Sequence, residues 1–197
     1  MLRFLLCFAF LVLPGTVFAW PATVTNVYDG DTLTVACAGD EECQLFVRLY
    51  GVDAPELAQN GGNAARLFLA DLVPLKSQVE VLPMALDAHG RVIALLARNG
   101  QVVNGRLVRE GHAWVEQSCR AMICRAWLRQ QKTAQESAKG LWQEKNAQAP
   151  WLFDKKEGVL PMAPAQSKKD GAAKDNSLGA KPGAKATPQW LPLDTLP

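Results

Sequence analysis

Residues 22–36 read ATVTNVYDGDTLTVA, and this stretch decides the fold class. Apolar and polar residues alternate on both sides of Asp29-Gly30, and many of them are β-branched, which is typical of β-strands. An Asp-Gly pair between two alternating runs indicates a hairpin turn. The stretch therefore predicts two strands, at 22–28 and 32–36, that pair as a hairpin.

The rest of the chain predicts three more strands and three helices. The strands are expected at residues 44–50, 78–82 and 91–96, and the helices at residues 63–72, 103–110 and 121–139. Asn63 is the expected N-cap of the first helix, and Gly111 and Gly140 end the other two. Five short strands with helices interleaved and then appended predict an α+β, mainly β fold, with three helices packed around a small closed barrel. The tryptophans expected to seal the helices against the barrel are Trp114, Trp127 and Trp142.

The amino terminus indicates export. Arg3 is followed by an uninterrupted apolar run at 4–13 and by small residues up to Ala19, the pattern of a signal peptide that is cleaved after this alanine. The alternative is a membrane anchor, but the run is shorter than the roughly 20 apolar residues that span a bilayer. We therefore predict a signal peptide at 1–19 and a protein that is periplasmic or secreted, with no membrane segment after cleavage.

Charge and composition separate a globular domain from the carboxyl-terminal end. The whole chain has a net charge of +2, and residues 20–153 hold 13 Lys and Arg against 14 Asp and Glu. This balance excludes a strongly basic domain, so a nucleic-acid role must depend on a site rather than on bulk charge. Lys, Ala, Pro, Gly, Gln and Ser dominate residues 154–197, which predicts a disordered tail. The predicted domain is therefore 20–153, expected as a monomer.

Four cysteines remain once the predicted signal is removed, namely Cys37, Cys43, Cys119 and Cys124. An even number in an exported chain indicates two disulfides, and four cysteines allow three connectivities. We favour the local pairs 37–43 and 119–124. The second pair requires Cys119 to precede the third helix, because five residues along a regular helix is too far to bridge. A zinc site is the alternative, but the spacings and the two histidines fit it poorly.

Carboxylates cluster where the predicted strands end. Asp29 and Asp31 flank Gly30 in the hairpin turn, and Asp53 shortly follows the third strand. If the third strand pairs with the second, Asp31 and Asp53 converge at one end of the barrel. Two carboxylates with backbone carbonyls and water form the hard-oxygen set that Ca²⁺ prefers. The sequence therefore predicts a calcium site at Asp31 and Asp53.

The neighbouring charged residues suit phosphodiester hydrolysis. Arg48 lies in the third strand, Glu56 in the loop after Asp53, and Arg91 at the start of the fifth strand. Guanidinium forks match phosphate geometry and, together with a cation, neutralise the charge that builds on the phosphoryl oxygens. A carboxylate such as Glu56 can orient or deprotonate the attacking water. We therefore predict Arg48, Glu56 and Arg91 as catalytic residues.

Each of these features also has a structural interpretation. Asp-Gly is a common hairpin turn, and Arg48 could form an ion pair with Glu56 or Asp53. His89-Gly-Arg91 could be only a turn that precedes a strand. We favour the catalytic interpretation because the structural one must explain D-G-D-T, R-x4-D-x-P-E and D-x-H-G-R in one chain.

Several motifs together resemble the staphylococcal nuclease (thermonuclease) family. The motifs are Asp29-Gly-Asp-Thr-Leu-Thr-Val35, Arg48-Leu-Tyr-Gly-Val-Asp-Ala-Pro-Glu56, Asp87-Ala-His-Gly-Arg91, Gly100-Gln-Val-Val-Asn104, Leu107-Val-Arg-Glu-Gly111 and Gly140-Leu-Trp142. The resemblance covers about residues 22–142. It implies an OB-fold barrel with three helices. It also implies Ca²⁺-dependent hydrolysis of DNA and RNA, with single strands preferred, that leaves 3′-phosphates and 5′-hydroxyls.

The resemblance also implies a role for each matching residue at the metal. Asp31 and Asp53 are implied as the Ca²⁺ carboxylates, and Ala54 as the donor of a backbone carbonyl. Asp29 is implied as a support for these ligands that does not itself touch the ion.

On the substrate side, the resemblance implies that Arg48 and Arg91 bind the scissile phosphate and that Glu56 activates water. Asp87 and His89 belong to the same substrate-binding motif. His89 occupies a position where an aromatic side chain of the family often stacks on a base, which a histidine does more weakly.

Two other classes of function are open from the sequence. One is an OB-fold module that holds single-stranded nucleic acid or a protein without cutting, and the other is an envelope protein whose Lys-rich tail binds a surface. Members of the family that lose their chemistry usually lose the Asp, Arg or Glu positions, and all of these are present here. We therefore expect an enzyme.

Overall fold

The structure is a computed structural model and describes residues 19–153. The predicted signal peptide, apart from Ala19, and the predicted disordered tail at 154–197 lie outside the described residues. Among the residues that are described, no helix has the length and apolar character needed to cross a membrane.

The described chain contains eight strands and three α-helices. The strands are β1 (Trp20–Val27), β2 (Thr32–Cys37), β3 (Asp40–Leu49), β4 (Val52–Asp53), β5 (Gln78–Leu86), β6 (Val92–Arg98), β7 (Gln101–Val102) and β8 (Trp114–Val115). The helices are α1 (Gly62–Leu72), α2 (Asn104–Arg109) and α3 (Met122–Glu136). Two short 3₁₀ turns follow, at Gly140–Gln143 and Pro150–Leu152.

Five strands close into a barrel in the order β3-β2-β1-β5-β6. The neighbours in this order are antiparallel, and a parallel pairing of β3 with β6 closes the cylinder. The interior follows the two-residue period of the strands, because the inward side chains Leu33, Val35, Val47 and Leu49 are at most 1% exposed. Burial of each such side chain contributes roughly 1.5–3 kcal/mol to stability. The predicted α+β, mainly β barrel with three helices is therefore confirmed.

The predicted strands differ from the observed ones mainly at their ends. β3 begins at Asp40 rather than at 44, because residues 40–43, which lie outside the predicted strands, continue the hairpin and Cys37 pairs with Asp40. β5 extends to Leu86, beyond the predicted end at residue 82, and a register shift between Pro83 and Ala85 accommodates the proline. The short strands β4, β7 and β8 were not predicted, since two residues carry no periodic pattern.

The predicted N-cap at Asn63 is wrong. The N-cap is Gly61, whose φ of 84° is a left-handed conformation that glycine adopts without a steric cost. The Asn63 side chain instead accepts a hydrogen bond from Arg66 Nη2 at 3.1 Å. The third helix also ends at Glu136, earlier than predicted, because Ala138 has a φ of 48° that a right-handed helix cannot include.

The three helices pack around the barrel, and the three tryptophans pack beside them. Trp127 of α3 and Trp114 of β8 are each 5% exposed, and Trp114 meets Trp142 edge to face at 4.9 Å between ring centroids. α2 packs against α3, and a Cβ added to Gly105 would lie 2.3 Å from Trp127 Nε1. The close approach of these two helices therefore requires glycine at position 105.

Both predicted disulfides are present. Cys37 bonds to Cys43 beside the turn at residues 38–39 that joins β2 to β3, with a Cα–Cα distance of 5.4 Å. Cys119 bonds to Cys124 with a Cα–Cα distance of 6.1 Å. As the spacing required, Cys119 lies before α3, while Cys124 lies in its first turn.

Candidate active site

The β1–β2 turn is organised by the side chain of Asp29. Its Oδ1 accepts hydrogen bonds from the backbone N–H of Asp31 at 2.9 Å and of Thr32 at 2.6 Å. An aspartate that bonds to backbone groups two and three residues ahead stabilises a tight turn. Asp29 therefore determines the direction in which Asp31 leaves the turn.

Arg48 joins the two carboxylates of the predicted calcium site. Its Nη1 donates to Asp31 Oδ1 at 2.9 Å, and its Nη2 donates to Asp53 Oδ1 at 2.8 Å. The antiparallel pairing of β2 with β3 places Arg48 opposite Thr32, one residue beyond Asp31. The predicted convergence of Asp31 and Asp53 is thus observed. The ion pair between Arg48 and Asp53 that the structural interpretation suggested is also present.

A backbone hydrogen bond attaches the loop after β4 to this cluster. The N–H of Ala54 donates to Asp31 Oδ2 at 2.9 Å, so both oxygens of this 3%-exposed aspartate are engaged. Ala54 is itself buried, and its backbone continues into the loop that carries Glu56. The hairpin turn, β3 and the loop after β4 therefore meet at Asp31.

Glu56 is held close to the same turn. Its backbone N–H donates to Gln59 Oε1 at 3.3 Å, and its carbonyl accepts from the N–H of Gln59 at 2.8 Å. A Cβ added to Gly62 would lie 1.9 Å from the Glu56 carbonyl oxygen, so the first residue of α1 packs closely against the loop after β4. The Glu56 carboxylate is near enough to Asp29 to contribute to the raised pKa of that residue.

Arg91 is oriented by Asp87. The Arg91 Nε donates to Asp87 Oδ2 at 2.6 Å, and Asp87 Oδ1 accepts from the N–H groups of His89 and Arg91, each at 2.9 Å. The slight burial of Asp87 opposes ionisation, but these hydrogen bonds outweigh it and hold the pKa of Asp87 below its usual range. Asp87 therefore stabilises the turn and positions Arg91, while the side chain of His89 is exposed.

The barrel closure brings Arg91 towards Arg48. In the parallel pairing Val47 lies beside Val92, so Arg91 is level with Phe46, two residues before Arg48 on the neighbouring strand. Strand spacing and rise then separate the Arg48 and Arg91 Cα atoms by roughly 8 Å. The side chains of Arg48 and Arg91 are thus near enough to bind the same phosphate group.

Comparison with known proteins identifies a family and several relatives of this chain. The model of the family described as "Staphylococcal nuclease homologue" matches residues 46–144. A micrococcal nuclease of Shigella flexneri is 32% identical over 157 residues, which is 74% of this chain and 88% of the relative. An uncharacterized endonuclease of Escherichia coli is 31% identical over 145 residues, 70% of this chain and 91% of the relative.

The chain belongs to the staphylococcal nuclease homologue family. Another relative is an uncharacterized endonuclease of Haemophilus influenzae, 32% identical over 137 residues, 69% of this chain and 74% of the relative. The closed five-stranded barrel with three helices is consistent with the OB-fold of this family. Membership supports a nuclease, a phosphodiesterase that acts on nucleic acid.

The candidate site carries an excess of negative charge. Burial, followed by the charge of Asp31, raises the pKa of Asp29 to about 7. Burial and the charge of Asp31 also raise the pKa of Asp53, although Arg48 opposes this. Burial alone would lower the pKa of Arg48, but Asp31 and Asp53 raise it above its ordinary value. The single guanidinium of Arg48 therefore cannot neutralise all the carboxylates around it. A bound cation would reduce the repulsion among these carboxylates.

The donor atoms fit a hard divalent cation only with help from water and backbone. Within residues 19–153 no group of three or more His, Cys, Asp and Glu side chains could hold a metal ion. Asp31 and Asp53 provide two carboxylates within reach of one guanidinium, and Ala54 lies in the same segment. Two carboxylates, a carbonyl and water are compatible with Ca²⁺, which accepts six to eight oxygens in flexible geometry.

Sequence reasoning missed Glu116. Its charge raises the pKa of both Arg48 and Asp53, and its backbone N–H donates to the Gly51 carbonyl at 3.0 Å. The pairing of β4 with β8 brings Glu116 to the site from more than 60 residues along the chain. No local pattern could have identified it, because its position depends on this pairing.

A large groove lies beside the site rather than in it. Its volume is about 790 Å³, and its lining includes Leu57, Gln59, His112, Trp114 and Gln148. None of the predicted catalytic or metal-binding residues lines it. Arg48, Asp53 and Arg91 instead keep 24%, 20% and 31% of their side chains exposed at the barrel surface, which a polymeric substrate can reach.

Proposed function

We propose that this protein is an exported, Ca²⁺-dependent nuclease that hydrolyses phosphodiester bonds in DNA and RNA, leaving 3′-phosphates and 5′-hydroxyls. The observation that carries the proposal is the contact of Arg48 with Asp31 and Asp53 at 2.9 and 2.8 Å, near Glu56 and Arg91. These are the ionisable groups that phosphodiester hydrolysis requires, and they come from four separate segments of the chain.

Each residue has a definite part in the proposed reaction. Asp31, Asp53 and the Ala54 carbonyl would hold Ca²⁺, which when bound neutralises charge on the phosphoryl oxygens and acidifies water. Arg91, oriented by Asp87, would bind a phosphate oxygen through its terminal nitrogens, and Arg48 would do so once the cation shares its carboxylates. These bonds strengthen as charge develops in the transition state.

Glu56 would accept the proton of the attacking water. The water oxygen then bonds to phosphorus, and the bond from phosphorus to the 5′ oxygen breaks. The 5′ oxygen takes a proton from solvent, which leaves a 5′-hydroxyl and a 3′-phosphate. Removal of this proton acceptor is expected to slow turnover by about 100-fold or more.

Export rests on two independent features. The amino-terminal pattern at 1–19 is that of a cleaved signal, and the described domain contains two disulfides, which persist in oxidising compartments. Fractionation of cells that express the full chain tests this part directly. Protein starting at residue 20 in the periplasm or medium is expected, while uncleaved protein in the cytosol would contradict export.

Cleavage of labelled single-stranded DNA and RNA by the mature chain tests the reaction. We expect cutting with Ca²⁺, none with chelator, and 3′-phosphate ends by mass spectrometry. Glu56→Gln is expected to lose turnover but to keep its melting temperature, and Glu80→Gln, an exposed carboxylate on β5, is the matched control. Binding without cutting under all conditions would instead identify a non-catalytic OB-fold module.

Binding of the cation has a readout besides activity. Ca²⁺ is expected to raise the melting temperature of the wild type and of Glu56→Gln, since ligands that bind only the folded state stabilise it. The same addition is expected to leave Asp53→Ala unchanged. An equal shift in Asp53→Ala would remove Asp53 from the metal site.

A further inference from the structure

Two aromatic side chains form a stacked pair on the outside of the barrel. Tyr28 comes directly before Asp29, and Phe46 lies in β3. Their ring centroids are 5.6 Å apart with an interplanar angle of 20°. Tyr28 is 37% exposed and Phe46 38% exposed, so substantial ring surface faces solvent.

The pair shares its face of the barrel with both arginines of the site. Val47 and Leu49 point into the barrel at 0% and 1% exposure, so Phe46 and Arg48 project outwards. Phe46 is therefore about 7 Å along the strand from Arg48, at 3.3 Å rise per residue. The parallel register places Arg91 level with Phe46 on the adjacent strand.

A purely structural role accounts for part of this arrangement. Phe46 lies opposite Thr34, whose outward side chain is only 2% exposed, and aromatic contacts across strands stabilise sheets. The exposed ring surface beside two cationic side chains is not required for that role. Phosphate on arginine and a base on an aromatic ring are the two contacts by which proteins hold single-stranded nucleic acid.

We propose that Tyr28 and Phe46 form a stacking platform for one nucleobase of a single-stranded substrate, next to the phosphate held by Arg48 and Arg91. The inference rests on the proposed nuclease function. A single strand is required because a base must leave its helical stack before it offers a face to a protein ring. The platform therefore predicts a preference for single strands that arises from binding rather than from the chemical step.

The experiment uses an oligonucleotide with one phosphodiester bond among methylphosphonate linkages, so that the scissile bond is known. One version carries bases on both sides of this bond, and others are abasic on the 5′ or the 3′ side. For the wild type we expect one of the two abasic versions to have a KM about tenfold higher than the base-containing version. This factor lies within the range of base–aromatic stacking. The kcat is expected to change little, because the platform does not touch the reacting atoms.

The variant Tyr28→Leu/Phe46→Leu keeps apolar surface but removes both rings. It is expected to show the raised KM on every version, with no further penalty for the abasic one. A tryptophan in place of the leucine at position 46, as in Tyr28→Leu/Phe46→Trp, is expected to restore discrimination between base-containing and abasic substrates. Leu128→Ala, which changes an exposed apolar side chain on α3, is the control. Melting temperatures identify any variant that has lost its fold.

Three results would overturn the platform. One is a KM that is unchanged in the double variant, and another is an equal rise on base-containing and abasic substrates. The third is a wild-type dimer that dissociates in the double variant, because the rings would then be covered by a second copy of the chain. Fluorescence anisotropy with the same single-phosphodiester strands, and with proteins that also carry Glu56→Gln and are expected not to cut them, measures binding separately. It therefore distinguishes failure of the platform from failure of the nuclease proposal.

Discussion

In the proposed mechanism, the role of Arg91 depends on the shape of its side chain as well as on its charge. The bond from Nε to Asp87 Oδ2, at 2.6 Å, fixes the plane of the guanidinium and directs its terminal nitrogens away from Asp87. A lysine would keep the positive charge but could not bond to Asp87 and a phosphate in this fixed geometry. The residue therefore tests whether orientation matters at the site.

Arg91→Lys is expected to lower kcat/KM by about 100-fold, comparable to the loss of one positioned donor to a transition state. Asp87→Ala should cause a smaller loss of kcat/KM than Arg91→Lys, because Arg91 remains but is not oriented. We expect this loss to appear in kcat to a similar extent. Steady-state kinetics on single-stranded DNA measure both. Arg129→Lys, an exposed arginine of α3, provides the control, and near-normal activity of Arg91→Lys would reduce Arg91 to a structural ion pair.

Asn104 supports the site without contacting it. Its fully buried side chain accepts from the N–H of Leu96 at 2.9 Å and donates to the carbonyls of Tyr50 and Ala94 at 3.0 and 3.1 Å. It thus ties α2 to β6 and to the segment that joins Arg48 to Asp53. The sequence marked this residue only as part of a motif and assigned it no role.

Asn104→Ala is expected to lower the free energy of unfolding by roughly 2 kcal/mol or more, because the Leu96 N–H and the Tyr50 carbonyl lose this partner at about 1–3 kcal/mol each. The Ala94 carbonyl still accepts from the Tyr50 N–H at 2.8 Å. Urea denaturation measures the change. Gln78→Ala is a suitable control, since its amide bonds to Thr23 at the surface. A loss no larger than that of the control would mean that the buried groups find other partners.

At the scale of elements, the two disulfides close loops of similar length but have different surroundings. A Cβ added to Gly51 would lie 2.7 Å from Cys124 Sγ and 3.2 Å from Cys119 Sγ. The 119–124 bridge therefore packs on the turn between Arg48 and Asp53. The 37–43 bridge lies at the far end of the β2–β3 hairpin, away from this turn.

Replacement of either disulfide by two serines should cost about 2 kcal/mol of stability, because loop-closure entropy depends on loop length. Only Cys119→Ser/Cys124→Ser is expected to lower activity as well, by about tenfold, as the turn that positions Asp53 relaxes. Nuclease assays well below both melting temperatures separate the two effects. Equal activities in the two double variants would contradict a link between this bridge and the site.

At the scale of the whole molecule, two titrating groups affect stability in opposite directions. Burial lowers the pKa of His112, whose ring stacks on Phe68 at 4.1 Å between centroids. Its contribution is present above the unfolded pKa of 6.5 and is lost as pH falls through the folded value. Asp29, with its pKa raised to about 7, contributes stability at low pH that is lost as pH rises towards 7.

The difference between wild type and His112→Phe isolates the histidine. We expect the variant to gain stability relative to the wild type as pH falls from about 8 to about 5, because the half-buried histidine binds a proton more readily in the unfolded wild-type chain than in the folded one. Urea denaturation of metal-free protein at several pH values measures this. His89→Phe, at an exposed histidine, is the control for the replacement of a histidine by phenylalanine.

Much of the barrel could be predicted because its strands alternate in sequence. The hairpin at 22–36 and the strands that begin near 78 and 92 carry the two-residue period, and their neighbours are close in the chain. The N-cap at Asn63 was wrong because a left-handed glycine decides how α1 begins. The convergence of Asp31 and Asp53 was predictable, since both lie within a few residues of one paired strand.

The sequence by itself determined the five barrel strands and the three helices, which cysteines are near one another, and that Asp31, Arg48 and Asp53 meet. These depend on local periodicity and short loops, which bring neighbours together at small entropic cost. Only the tertiary structure decided that β6 closes against β3, which places Arg91 beside Phe46, and that β8 delivers Glu116 to the site. The physical reason is that strands far apart in the chain pair through packing of the whole barrel, which no local pattern specifies.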